Sequence, residues 1–314
     1  MSHARKFCDE AIQILKQLDP EAIERLASEL GAYFYFARRA PRVDEWTRLR
    51  EPVAALRQAG ELVVVAPRWA DPLARHALGD ALMPLSDVAR SDESRYVRAI
   101  EISAMGDRAP ELVGWRTVGE QKHGRFTLRT LENPAPEPVS FDFVDHVKPD
   151  HATVFEGAAP CGWNANAPVT AGGLGGNPTF PAQRFICPSG DWFFAGVTVI
   201  DDHREYRPRR CIWAHPPPGG PLRIRFERVP LGKTLRGWGG MPWLLFRDSV
   251  GATPVEIEVR VGGTSVGKHV HHDEDGFAPF RFETGRAGEV LDVEFEISAA
   301  NVKDRHFCFQ ADTR

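Results

Sequence analysis

The sequence predicts an α+β protein, with an N-terminal helical and α/β segment (residues 1–135) ahead of an antiparallel, jelly-roll-like β-sandwich (residues 140–314). Three observations carry this. Glu61-Leu62-Val63-Val64-Val65-Ala66 is an unbroken, β-branched apolar run between helical stretches, the pattern of a strand buried on both faces. Residues 132–139, Glu-Asn-Pro-Ala-Pro-Glu-Pro-Val, form a proline-rich connection. Beyond it, short strands alternate with glycine-rich turns. Among them, Arg209-Arg210-Cys211-Ile212-Trp213-Ala214-His215 runs into Pro216-Pro217-Pro218-Gly219-Gly220. Consecutive prolines donate no backbone hydrogen bonds, so the ladder stops there and the chain turns.

Taken in order, residues 4–30 read as two helices. Ala11, Ile12, Leu15 and Leu18 make one apolar stripe, and Ile23, Leu26 and Leu30 the next. Between them Asp19-Pro20-Glu21 is a helix start, and Gly31 closes the second helix. An aromatic and basic junction (31–45) leads to an amphipathic helix from Asp44 to Gln58, ended by Gly60. After the 61–66 strand, Pro67–Pro72 turns the chain into a short helix to Leu78, and strands follow at Tyr96–Ser103 and Phe126–Leu131. The sandwich strands are expected at Ser140–Val144, Thr153–Glu156, Trp192–Ile200, Arg223–Val229, Pro242–Phe246, Val255–Val261, Phe280–Phe282 and Val290–Ile297. Arg223–Val229 and Val255–Val261 alternate apolar and charged residues with period two, which puts one face on a core and one in water.

Composition narrows the function. The net charge of −4, with acids interleaved among the arginines, argues against a nucleic-acid footprint. No run of roughly eighteen apolar residues is present, so no membrane span is expected. Met1–Glu10 lacks the apolar core of a signal peptide, which reads as cytoplasmic by default. Cys161, Cys187, Cys211 and Cys308 all fall in the β-rich part with no zinc-site spacing. They are either buried thiols or two disulfides, and the second reading implies an oxidising, extracytoplasmic setting. The pairing expected is Cys161 with Cys187 and Cys211 with Cys308, because Cys211 and Cys308 lie on apolar strands that could be neighbours.

Catalytic signatures are sparse. There is no Gly-x-Gly-x-x-Gly, phosphate loop, Gly-x-Ser-x-Gly or His-Glu-x-x-His, so no cofactor is expected. Asp145-His146, Asp150-His151 and Asp201-Asp202-His203 are sequence neighbours that point to opposite faces of a strand. His269 and His271 would share a strand face at a spacing seen in metal sites, but no third ligand is set by spacing. The segment 269–276 reads instead as a solvated hairpin tip ending at Asp275-Gly276, with no metal.

Aromatics carry more. Trp163, Trp192, Trp213, Trp238 and Trp243 fall in the β region, as core residues or as stacking surfaces for sugar rings. Leu235-Arg236-Gly237-Trp238-Gly239-Gly240-Met241-Pro242-Trp243 reads as a loop because three glycines interrupt any long strand. Arg305-His306-Phe307-Cys308-Phe309 reads as a closing strand whose Arg305 and His306 either face a ligand or belong to a salt-bridged strand end. The candidate ligand-binding residues are Trp213, His215, Trp238, Trp243 and Arg305.

Three stretches resemble known families. Leu222–Arg314 resembles a galactose-binding-type jelly roll through the Val255–Val261 strand, the Val261-Gly262-Gly263 turn, Phe280-Arg281-Phe282 and Phe307-Cys308-Phe309. That resemblance implies the fold more than a ligand. Arg50-Glu51-Pro52 through Glu61–Trp69 resembles the soluble tail of bacterial membrane mannosyltransferase-like proteins, without the membrane helices or catalytic acids, so transferase activity is not implied. Phe7–Leu30 resembles the leading helices of sedoheptulose-phosphate isomerases, but the Gly-Gly-Ser phosphate loop that follows them in that family is absent, and no activity is implied. The expected function is a non-catalytic, carbohydrate-associated binding or accessory module whose partner is a glycan or glycoconjugate. A metal-assisted hydrolase using His269 and His271, and a structural interaction protein, are the alternatives.

Overall fold

A computed structural model describes residues 39–169, 180–202, 207–242 and 253–314, together with positions 21, 24–25 and 28–31, which are helical. The first of the two expected N-terminal helices, Cys8, Trp243 and most of the expected Pro242–Phe246 strand lie outside the described residues.

The front part opens with α1 (Val43–Thr47) and α2 (Arg50–Leu56). One continuous helix was the expectation; Pro52 has no N–H to offer the carbonyl of Arg48, so the helix breaks at 48–49. Strand β1 (Leu62–Ala66) leads through α3 (Asp71–Leu78) and α4 (Leu85–Val88) to β2 (Arg98–Ala104), which pairs with β1 in parallel. β3 (Arg116–His123) and β4 (Phe126–Glu132) complete a four-stranded sheet in the order β1-β2-β4-β3. Both faces are covered, as the unbroken apolar run of β1 requires. Val63, Val65, Ile100, Ile102 and Leu128 pack under Trp46, Leu49, Val53 and the Ala74, Ala77 and Leu78 face of α3. Leu62, Val64, Ala99 and Leu131 meet Ala109 and Leu112 on the other side.

From Phe141 onward the chain is a sandwich of two antiparallel sheets. Its strands begin with β5 (Phe141–Asp142), β6 (Ala152–Glu156), β7 (Ala159–Pro160), β8 (Gly162–Asn164), β9 (Arg184–Ile186) and β10 (Phe194–Asp202). There follow β11 (Arg207–Ala214), β12 (Leu222–Pro230), β13 (Thr234–Gly240) and β14 (Val255–Val261). β15 (Thr264–His271), β16 (Ala278–Glu283), β17 (Val290–Ala299) and β18 (Cys308–Thr313) complete the set. One sheet runs β16-β13-β18-β11-β10-β9-β8, with β5 added to β18; the other runs β15-β14-β17-β12-β6-β7. The period-two residues meet between them: Ile224, Phe226, Ile257, Val259 and Phe295 against Ile212, Leu235, Phe280 and Phe309. The four cysteines of the sandwich form two disulfides, Cys161–Cys187 and Cys211–Cys308. No helix among the described residues is long and apolar enough to cross a membrane.

Two local expectations are corrected. The Gly237–Gly240 stretch is a strand, not a loop, and β13 is bracketed by β16 and β18. Its glycines are there because neighbouring rings occupy the space their side chains would take. A Cβ on Gly237 would lie 2.1 Å from Phe280 Cζ, and one on Gly239 would lie 2.4 Å from Phe307 Cζ. The segment after His271 is not a solvated hairpin tip either. β15 belongs to one sheet and β16 to the other, so residues 272–277 cross between them, and His271 is buried with its ring 5.4 Å from that of Phe307.

The two parts meet across the outer face of the eight-stranded sheet through buried ions and amides. Arg90 pairs with Asp142 at 2.8 Å, and Arg207 with Glu93 at 2.7 Å and Glu111 at 2.6 Å. Arg314 bridges Asp92 and Asp312, and the Gln310 amide donates to the carbonyl of Ala89 at 2.6 Å.

A candidate ligand platform on the sandwich

At one end of the eight-stranded sheet, β10 and β11 present their outer face away from the sandwich core. Alternation sends Ala195, Ile212 and Ala214 inward and Phe194 and Trp213 outward. Phe194 and Trp213 stack at 5.4 Å with planes 5° apart. Gly196, opposite Trp213 in the ladder, is open to no larger residue: a Cβ there would stand 2.9 Å from Arg184 Cβ and 3.1 Å from the Gln183 carbonyl. The Arg184 guanidinium lies over Phe194 and Phe180 at 5.5 and 5.7 Å, and donates to the carbonyl of Pro168 at 2.9 Å.

On this buried floor stands a second tier. Trp192 stacks on His306 at 4.9 Å with planes 11° apart, and meets Phe180 edge-on at 4.6 Å. His306 in turn touches Trp213 at 5.1 Å and His215 at 4.6 Å. The Trp213 indole N–H donates to the Trp192 carbonyl at 3.2 Å, fixing the turn that carries the upper ring. His215 Nε2 sits 2.8 Å from the Val302 carbonyl and therefore carries the proton. Trp192 remains 47% exposed although one of its faces is covered by His306.

The imidazoles beneath are neutral. Burial, then His215 and Arg305, push the His306 pKa down to about 3. Burial also lowers His215, against the opposing pull of the Val302 carbonyl. The stacked rings are thus uncharged, with the Arg184 guanidinium against Phe180 and the exposed Asp191 beside Trp192 in sequence. Such a surface accepts the apolar face of a ring whose edges carry hydroxyls.

The sequence-predicted site residues divide. Trp213, His215 and Arg305 converge on this end of the sheet, but none of them presents a surface. Trp213 is the buried floor and His215 props His306 from beside it. Arg305 is wholly buried and ion-paired with Asp273, with a further bond to the Thr253 carbonyl at 3.2 Å; it lies ahead of β18, which starts at Cys308 and not at Arg305 as expected. Trp238 lies elsewhere, half-buried on the outer face of β13. Trp243 lies outside the described residues. Trp192, the exposed ring, is not the first residue of a strand, as the sequence pattern suggests. It belongs to the turn before β10, and Pro188-Ser189-Gly190-Asp191 was the available signal for that turn.

His269 and His271 have ring centroids 6.0 Å apart, with His269 stacked on Phe280. Among the described residues no group of three or more His, Cys, Asp or Glu is arranged to hold a metal. A concavity of about 450 Å³ over the six-stranded sheet is lined by Arg225, Arg260, Asp292 and Glu294, with no aromatic. Its charges neutralise one another, as on an ordinary solvated strand face.

No protein-family model matches the chain, and no curated protein matches it. Solved structures give distant likenesses. One is the second CBM51 module with INT domains of Clostridium perfringens ZmpB in complex with GlcNAc (8% identity, TM-score 0.26, covering 38% of this chain and 25% of that one). Another is the CBM51 of a C. perfringens GH95 protein in complex with methyl-galactose (10%, TM-score 0.28, 38% and 81%). A third is the M60 catalytic domain of ZmpB with both its CBM51 domains (12%, TM-score 0.34, 68% and 19%). This chain spans a quarter or less of the two ZmpB structures. Likeness at this level carries no argument about what the chain binds.

Proposed function

We propose that this protein is a carbohydrate-binding module, its sandwich a jelly-roll-like scaffold and its site the Trp192 platform. The observation that carries this reading is Trp192 itself: a half-exposed indole held rigid by coplanar stacking on a neutral imidazole and by a bond to its own carbonyl. A pre-ordered ring loses little side-chain freedom on binding, which favours a weakly hydrated sugar face over bulk water. The neutral state of His306 and His215 favours neutral hexoses over acidic ligands. The two disulfides fit an oxidising, extracytoplasmic setting, where glycans are encountered.

The test is a glycan array with the purified protein, followed by Trp192→Ala. Binding of neutral glycans by the wild type, lost in the variant with little change in melting temperature, is the expected result. An array on which nothing binds, or a variant that binds as the wild type does, overturns the reading.

A further inference from the structure

Trp238 belongs to a different patch, and its neighbours describe a different ligand. On β13 and β16, Arg236 stands directly opposite Arg281 in the ladder, and Trp238 directly opposite Pro279. All four sit on the outer face of the sheet and, with Phe280, line a shallow groove of about 370 Å³. Like charges placed directly across a strand pair destabilise it modestly, and although Asp312 stands opposite Arg236 on its other side, an anion between or above the two guanidiniums would relieve their repulsion. The acids present supply this incompletely. Among the described residues Arg281 reaches Glu283 alone, at 3.4 Å, and both side chains are more than half exposed, so this pair contributes little. Arg236 pairs with Glu137, yet among the described residues its buried Nε–H has no partner.

We infer that this groove is a second binding site, for an acidic sugar. Its carboxylate would be clamped between Arg236 and Arg281, and its ring would lie on Trp238 and Pro279. The geometry sets the match. Two residues along a strand span about 7 Å, the distance from one arginine to the tryptophan next on the same face, and this is the reach of a pyranose ring bearing a carboxyl group. Guanidinium forks bind carboxylates in two-point fashion, and the indole and the proline ring offer one continuous apolar floor. The site is independent of the Trp192 platform, which is built on β10 and β11, separated from β13 by β18.

The experiment is calorimetric titration with methyl β-D-glucuronide, using methyl β-D-glucoside and inorganic sulfate as controls. The glucuronide should bind measurably more tightly than both. Arg281→Gln removes an exposed side chain and one of two like charges, so it should leave the melting temperature unchanged or slightly raised while weakening the glucuronide about tenfold or more. Trp192→Ala should leave glucuronide affinity unchanged, which separates this site from the neutral one. Equal binding of glucuronide and glucoside, or an unaltered Arg281→Gln titration, overturns the inference. Sulfate binding as tightly as the glucuronide also overturns it, since the site would then be one for simple anions.

Discussion

Gly237 shows what a single position can hide. In the sequence it is one of three glycines around a tryptophan, which reads as a loop; in the fold it is a central strand residue covered by the Phe280 ring. Sequence pattern registers the missing side chain but not the ring that replaces it, because that ring arrives from another strand. Gly237→Ala is expected to destabilise by about 1–3 kcal/mol through overpacking. The check is a lowered denaturant midpoint with an unchanged slope. Trp192 hides in the opposite way: its type was informative, but its exposure depends on a turn placed two residues before the strand starts. Arg305 could not be resolved from sequence, because its partner Asp273 lies on a distant segment that crosses between the sheets.

At the scale of elements, the period-two strands β12 and β14 were legible, since each buries alternate residues against one core, and β17 was legible as a strand. β3 was not, because its residues are almost all exposed and carry no apolar alternation; only its ladder to β4 makes it a strand. The segments around β11, β15 and β18 share another property, a set of buried neutral histidines. Burial, before any charge effect, holds His306 near 3 and His271 near 4. Unfolded histidines take up protons near pH 6.5, so between that pH and about 4 the unfolded chain binds more protons than the folded one. Stability should therefore be full above pH 7 and fall as pH drops through 6 and 5. Thermal unfolding across that range checks the direction, and a flat profile would contradict it. Neutral-glycan affinity at Trp192 should meanwhile stay level from pH 8 to 5, since His306 does not titrate there.

For the whole molecule, the sequence reads as two unlike halves but does not say how they are joined. The joint is made of Arg90, Arg207 and Arg314 with acids such as Asp142, Glu93, Glu111 and Asp92, and composition alone cannot tell these from solvated charges. Within the sandwich, the disulfides tie very different lengths of chain: 97 residues separate Cys211 from Cys308, and 26 separate Cys161 from Cys187. Loop-closure entropy gives about 4.7 kcal/mol for a loop near 100 residues and about 3 kcal/mol for one near 15, so the longer bridge should contribute more. The paired variants Cys211→Ala/Cys308→Ala and Cys161→Ala/Cys187→Ala, compared by urea titration, should rank in that order.

The placement of β18 also governs how fast the molecule can form. This strand lies inside the eight-stranded sheet, and its register partners include Asp142 on β5, Ile212 on β11 and Leu235 on β13, all remote along the chain. Each pairing closes a long loop before it gains contacts, and folding rates fall as such non-local pairing grows. Until β18 arrives, the edges of β11 and β13 that it covers expose unsatisfied backbone groups, the condition that invites intermolecular pairing. Refolding yield should therefore depend on protein concentration more steeply than native stability would indicate.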